Sequence, residues 1–287
     1  MCVVTSPYDA EPAARTHGAA RIVFRRGEEG TRLARLYQRA PLRALFPRGG
    51  ECGLTSAVLM TTTGGLVGGD RLDIGIVAEE ESAALVTTQA AEKVYRSLDA
   101  ECRVEVELAA GARSWLEWLP HETILFDGAR LDRVTRIEHA SEARVLAGEM
   151  LVFGRGAYGV QLTRGRFRDA WEVRRDGRLV WADALAVAGD VAAVLAAPAC
   201  FAGAVAVATV IYTGVGSREA LSLARDLTAG SRVGEMAVAV TCVAGVLVCR
   251  WLGGDTRALR AAFGRFWAAF RQRVGGLPPT LPRVWGM

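Results

Sequence analysis

The chain has 287 residues, 51% of them hydrophobic, 23% charged and 7% aromatic, and a mean hydropathy of +0.19. That length and apolar content support a large core and exclude a disordered chain, while a formal charge of +4 excludes the strongly basic footprint of a nucleic-acid binder. The 35 basic residues include a single lysine, Lys93, and three histidines and six cysteines leave few side chains for nucleophilic or metal chemistry.

Residues 1–18 are polar and lack the apolar stretch of a targeting peptide, so they are expected to form a flexible tail. No linker, repeat or shift in composition divides the remainder, and residues 19–287 are expected to form one domain. Arg71-Leu72-Asp73-Ile74-Gly75-Ile76 and Arg103-Val104-Glu105-Val106-Glu107-Leu108 alternate polar and apolar side chains, the period of a half-buried strand. Trp171-Glu172-Val173 and Leu179-Val180-Trp181 flank Asp176-Gly177, a hairpin turn signal. Residues 191–217 carry no charge, a length that could cross a bilayer. They are mostly Ala and Val and are broken by Pro198 and Gly203, which favours buried strands.

A helix is expected over residues 217–227, capped by Ser217, with Leu221, Ala224 and Leu227 on one face and Gly230 beyond its end. Two apolar runs about Ala244-Gly245 read as a second hairpin. A second helix over residues 256–274 places Leu259, Phe263, Phe266, Trp267, Phe270 and Val274 on one stripe, with arginines opposite. Leu277-Pro278-Pro279 and the residues after it read as an extended tail. The pattern is mostly β with two helices, and turn signals every ~8–12 residues suit a sandwich, a barrel or stacked strands.

Cys2, Cys52, Cys102, Cys200, Cys242 and Cys249 show no C-x-x-C pair and no zinc-like spacing. They read as reduced thiols of a cytoplasmic protein, with Cys242 and Cys249 in the core. Four other stretches bear on chemistry. Thr61-Thr62-Thr63-Gly64-Gly65-Leu66-Val67-Gly68-Gly69-Asp70 is either a phosphate cradle or a glycine-rich turn, but it lacks the spacing of a P-loop. Thr213-Gly214-Val215-Gly216-Ser217 imitates a dinucleotide fingerprint, yet Glu219 stands where the third glycine belongs. Glu117-Trp118-Leu119-Pro120-His121-Glu122 and the following Asp127 gather three carboxylates and an imidazole, suited to acid–base work or a divalent ion. On an extended segment Glu117, His121 and Asp127 share parity and Glu122 faces away. Thr87-Thr88 through Glu92-Lys93-Val94-Tyr95-Arg96-Ser97 holds the one lysine in a small charge cluster.

Taken in order, these motifs resemble the UreD family of urease accessory proteins, called UreH in some systems. The match includes Thr63-Gly64-Gly65-Leu66-Val67-Gly68-Gly69-Asp70, Lys93-Val94-Tyr95-Arg96-Ser97 and Leu116 through Thr123. It continues with Phe126-Asp127-Gly128-Ala129, Gly154-Arg155-Gly156-Ala157, Gly165-Arg166-Phe167, Arg175-Asp176-Gly177-Arg178-Leu179 and Pro282-Arg283-Val284-Trp285.

The resemblance implies a single domain of stacked, helically wound β-strands and a non-catalytic metallochaperone. Such a protein binds apo-urease, holds UreF and through it the GTPase UreG, and conducts nickel to the urease active site. It implies no tightly bound cofactor, only nickel in transit, no nucleic acid and no membrane. Asp70, Glu117, His121, Glu122, Asp127 and Glu149 are then candidates for lining the nickel path, and Gly64, Gly65, Gly68, Gly69, Lys93, Tyr95 and Arg96 for its walls or an interface. Where the family pattern places an acidic residue after Ala157-Tyr158-Gly159, this chain has Val160 and Gln161. It also has Glu92 in place of a small or hydroxyl residue, which would reroute the path or dispense with that carboxylate. The alternative is a metal-assisted hydrolase centred on His121, Glu122 and Asp127.

Overall fold

The computed structural model describes residues 15–47, 52–154, 161–229 and 236–286. From Thr55 onward, successive long strands go to opposite sheets. β4 (Thr55–Thr61), β6 (Ala83–Thr88), β9 (Trp115–Leu119) and β12 (Arg144–Phe153) lie side by side in one sheet. β5 (Arg71–Ala78), β8 (Cys102–Ala110), β11 (Arg130–His139) and β13 (Arg164–Arg175) do so in the other. Neighbours within each set are parallel. Parallel neighbours need a long crossover, and here each crossover is largely a strand of the facing sheet. The result is a two-sheet β-coil, as expected of stacked strands.

Antiparallel strands close its ends. β1 (His17–Gly27) pairs in parallel with β5 and antiparallel with β2 (Gly30–Arg39), and the short β3 (Leu42–Leu45) borders β4. At the far end β13 turns back into β14 (Arg178–Asp190). β15 (Ala206–Gly214), β16 (Met236–Val243) and β17 (Val246–Gly253) extend the sheet of β12. Two three-residue strands, β7 (Glu92–Val94) and β10 (Thr123–Leu125), pair with each other beside β12.

Side-chain alternation follows from this layout. In β5, Leu72, Ile74, Ile76 and Ala78 point between the sheets and the alternate residues face outward. The outer face of that sheet is a charged ladder in which Arg71 pairs with Asp73 and Glu105, and Arg136 with Glu105 and Glu172. Such exposed pairs contribute little stability each. β9 is buried throughout and β12 from Val145 onward, because their outer face is covered by α3 (Thr256–Gly275).

The apolar stripe of α3 seats Leu259, Phe263, Phe266, Trp267 and Phe270 on that sheet. Asp255 caps its start by accepting from the Ala258 N–H at 2.8 Å, and Gly276 ends it in the left-handed region at φ 65°. Gly148 of β12 permits the approach, since a Cβ there would sit 2.8 Å from Phe263 and 2.9 Å from Trp267.

Both hairpins form, with Asp176-Gly177 and Ala244-Gly245 at positive φ as a tight turn requires. Four expectations need correction. The strand β1 starts at His17, inside the stretch expected to be tail. The charge-free segment is not strand throughout: its first residues form α1 (Val191–Ala196). There Asp190 accepts from the Ala193 N–H at 3.0 Å, and the alanine-rich run then favours helix. The helix expected from Ser217 is α2 (Ala220–Ala229); the Ser217 hydroxyl instead donates to the Gly245 carbonyl at 2.7 Å. Gly230 lies outside the described residues. Cys249 is buried as expected, whereas Cys242 is only half-buried, on edge strand β16. Among the described residues, no helix is long and apolar enough to cross a membrane.

The joint between α3 and its sheet is polar at one point. Glu117, on the outer face of β9, is fully buried and accepts from Trp115 Nε1 and Trp267 Nε1, both at 2.8 Å, and from Arg271 Nε at 2.9 Å. Arg271 also donates to the carbonyls of Cys52, Pro278 and Thr280. It thereby ties the helix, the sheet and the chain after the helix together. Removing one partner of such a pair strands a buried charge, so Arg271→Met is expected to lower unfolding free energy by about 3–5 kcal/mol. In urea unfolding, the Glu117→Gln/Arg271→Met double variant should lose less than the two single variants summed.

The candidate functional site

Among the described residues, two cavities lie between the sheets. One, of about 200 Å³, has Thr63, Gly64, Gln89, Ala90 and Lys93 at its exposed end and reaches inward past Glu92 and His121. The other, of about 330 Å³, has Ala186 and Cys200 at its exposed end and includes Asp183, Thr209 and Arg250. Glu149 lines both and, among the described residues, is the one wall residue that they share.

The partition between them is a buried ionic cluster built by the strand register. Arg133 of β11 and Asp169 of β13 are lateral partners, and their side chains meet end-on, with Nε to Oδ1 at 2.8 Å and Nη2 to Oδ2 at 2.9 Å. Arg133 Nη1 donates to the Thr123 hydroxyl at 3.0 Å. From the facing sheet, Glu149 of β12 receives the Thr135 hydroxyl on Oε1 at 2.6 Å. Its Oε2 lies 2.7 Å from Arg133 Nη2 but has no aligned hydrogen-bond donor. Burial pushes the Glu149 carboxyl up to about 8; Asp169 adds to the rise and Arg133 opposes it. Arg133 stays charged, because its two carboxylate neighbours outweigh its burial.

His121 forms part of the first cavity's wall and is buried. Its Nε2 lies 3.0 Å from the Val284 carbonyl, which can only accept, so Nε2 carries the proton. Nδ1 is then the lone-pair nitrogen of the neutral ring, and it is buried without a partner. Burial first, and then the nearby Arg260 charge, lower the His121 pKa and keep the ring neutral. Trp285 stacks on it at 4.9 Å. Glu92 accepts from the Thr61 hydroxyl at 2.7 Å, and burial raises its pKa.

Of the six residues expected to line a nickel path, His121 and Glu149 face the cavities. The other four are braces. Asp70 accepts from the backbone N–H groups of Thr16 and Val67, both at 2.9 Å, and so locks the glycine-rich turn. Glu117 is held on the outer face of its sheet by Arg271. Glu122 takes Arg260 Nη1 on both oxygens, at 3.1 and 3.0 Å. Asp127 accepts from the backbone and hydroxyl of Thr163 and from the Arg164 N–H, which lowers its pKa. His121, Glu122 and Asp127 therefore serve three separate partners. Among the described residues, no three His, Cys, Asp or Glu side chains gather closely enough to hold a metal ion.

The glycine-rich turn and the lysine motif form the mouth of the first cavity. Gly65 sits at φ +143°, where a Cβ would come within 2.7 Å of the Lys93 carbonyl, and the Leu66 N–H donates to that carbonyl. A Cβ on Gly68 would lie 1.9 Å from Ser97 Oγ, and Gly69 sits at φ +90°. The Tyr95 hydroxyl donates to the Gly64 carbonyl at 3.2 Å, and Arg96 bridges to Ala129. Lys93 is exposed at the rim. Val160, which stands where the family pattern has an acidic residue, lies outside the described residues.

Sequence reasoning missed Arg133 and Asp169, although a signal exists. Each sits on the apolar parity of its strand, between Leu131 and Ile137 in one and between Phe167 and Trp171 in the other.

A carboxyl whose pKa is raised by folding stabilises fully below its ordinary value of 4.5, and that contribution is lost as pH rises through about 8. Relative to Glu149→Gln, the wild-type chain is expected to lose thermal stability between pH about 5 and about 8. Each kcal/mol lost should lower Tm by about 2–4 °C, readable by melting both proteins across that range. A difference in Tm that stays constant with pH contradicts the assignment.

Comparison with known proteins agrees over nearly the whole chain. The family model described as UreD urease accessory protein matches residues 16–286. A urease accessory protein UreD of Magnetococcus marinus is 44% identical over 283 residues, covering 98% of both chains. One of Methylobacterium sp. is 42% identical over 257 residues, covering 89% of each. A urease accessory protein UreD 2 of Methylorubrum populi is 38% identical over 284 residues, 98% of this chain and 93% of that one. With the match spanning the β-coil, both cavities and the covering helix, the chain belongs to the UreD urease accessory protein family.

Proposed function

We propose that this protein is a non-catalytic scaffold of urease maturation that passes nickel ions between its two sheets. It does so in the cytoplasm, bound to apo-urease and to UreF, with the GTPase UreG held through UreF. The observation that carries the reading is the pair of cavities, each with exposed residues in its lining, that abut at Glu149.

The ligand chemistry supports it. Imidazole and carboxylate suit a borderline divalent ion. His121 Nδ1 and Glu149 Oε2 are buried oxygen and nitrogen atoms without aligned partners, and they are too dispersed to complete a coordination shell. An ion meeting them singly is held weakly and can leave, as cargo must. Within this reading the path uses Glu92, His121, Glu149 and Asp169. Asp70, Glu117, Glu122 and Asp127 hold its walls, and Lys93, Tyr95 and Arg96 shape its entrance.

Filling both cavities tests it. Val106 lines the first cavity and Val207 the second. Val106→Phe/Val207→Phe enlarges side chains into existing voids, so the fold should persist. The variant is expected to co-purify with urease, UreF and UreG as wild type does, while nickel per urease active site falls at least tenfold. Full nickel content in urease matured by this variant would remove the reading.

A further inference from the structure

The partition between the cavities has a property that a structural ion pair lacks. Glu149 and Asp169 bring two carboxyl groups to one point, and a single guanidinium contacts both. Arg133 satisfies Asp169 with two aligned bonds but leaves Glu149 Oε2, deep in the core, near its charge without an aligned hydrogen bond. Compared with Arg271, which meets one carboxylate and three neutral carbonyls, Arg133 faces two carboxyl groups, so this cluster has more acidic groups than cations. The guanidinium therefore occupies the position that a cation crossing between the cavities would take.

We propose that Glu149 and Asp169 form a divalent-cation site at the crossing point, and that Arg133 is its tethered competitor and gate. The inference rests on the passage reading above. A divalent ion arriving from either cavity would bridge the two carboxyl groups, releasing to water the proton that Glu149 carries near neutral pH, with the Thr135 hydroxyl beside Glu149 within reach. To do so it must draw Glu149 away from Arg133, whose hold there is the unaligned one. Once the ion is seated, the nearby guanidinium repels it, so the same residue that closes the empty passage shortens the ion's stay. A monovalent cation exchanges one charge for one and has less electrostatic advantage over the guanidinium, so the gate favours divalent cargo.

Arg133→Lys tests the gate. Lysine keeps the charge, and with it the ionic partner that the buried carboxylates need. Its single ammonium cannot span Asp169 in bidentate fashion and reach Glu149 at once. In equilibrium dialysis of the full-length chain against nickel chloride, Arg133→Lys is expected to bind at least fivefold tighter than wild type. Adding Glu149→Gln or Asp169→Asn should abolish the gain. The Arg133→Lys protein should also deliver nickel to urease more slowly, because the ion is retained.

Arg133→Lys that is folded and binds nickel no tighter than wild type overturns the gate, whatever becomes of the passage. Loss of nickel delivery on filling the cavities, together with unchanged affinity in Arg133→Lys, leaves a passage without this gate. Tighter binding by Arg133→Lys with full delivery by the cavity-filled variant overturns the passage and, with it, the gate.

Discussion

Parallel strand pairing is the constraint from which the rest of this protein follows. A strand that lies parallel to its predecessor in the same sheet can be reached only by a long return, and β4 through β13 use the facing sheet for that return. Each circuit then contributes one strand to each wall, and both walls grow in register. The interior becomes a space whose lining is set by which parity of each strand faces inward. Polar residues on that parity cannot reach water, so they must find one another. Arg133 and Asp169 do so across neighbouring strands, and Glu149 joins them from the opposite wall.

Two buried arginines illustrate different uses of the same chemistry. At Glu117 the carboxylate has three donors and Arg271 has acceptors for all its nitrogens, so the joint is closed and rigid. At Glu149 the bookkeeping is left open by one oxygen, and the cluster stands between two voids rather than under a helix. Burial costs both sites heavily. The first uses that cost to fix α3 on its sheet. The second leaves a carboxyl whose pKa burial raises, next to a carboxylate and a guanidinium.

Much of this could be read from the sequence where a pattern is local. The alternation of Arg71 to Ile76, the Asp176-Gly177 and Ala244-Gly245 turns, and the apolar stripe from Leu259 to Phe270 each follow from periodicity or turn chemistry alone. The order of motifs identified the family. What escaped depends on contacts between distant residues. Glu117 and His121 share parity only on a continuous strand, but β9 ends at Leu119 and Pro120 follows, so one faces α3 and the other the cavity. Asp70 and Asp127 resemble ligands in composition, yet backbone N–H groups up to 54 positions away hold them. No spacing rule reports such partners. Ser217 has the right identity for a helix cap, but a hairpin carbonyl 28 positions later captures its hydroxyl.

The covering of the ten-stranded sheet carries a consequence for biosynthesis. Its outer face is sealed by α3, and α3 is in turn secured by the residues that follow it: Arg271 holds the Pro278 and Thr280 carbonyls, and Trp285 Nε1 reaches Thr87 and the Leu119 carbonyl. Translation is vectorial, so β4 to β17 leave the ribosome before that lid exists. Throughout that interval an apolar wall that includes Trp115, Leu146, Met150 and Trp251 has no cover. The nascent chain is therefore at its stickiest just before Trp285 emerges, and chaperone engagement, or early contact with an assembly partner, would matter most in that window.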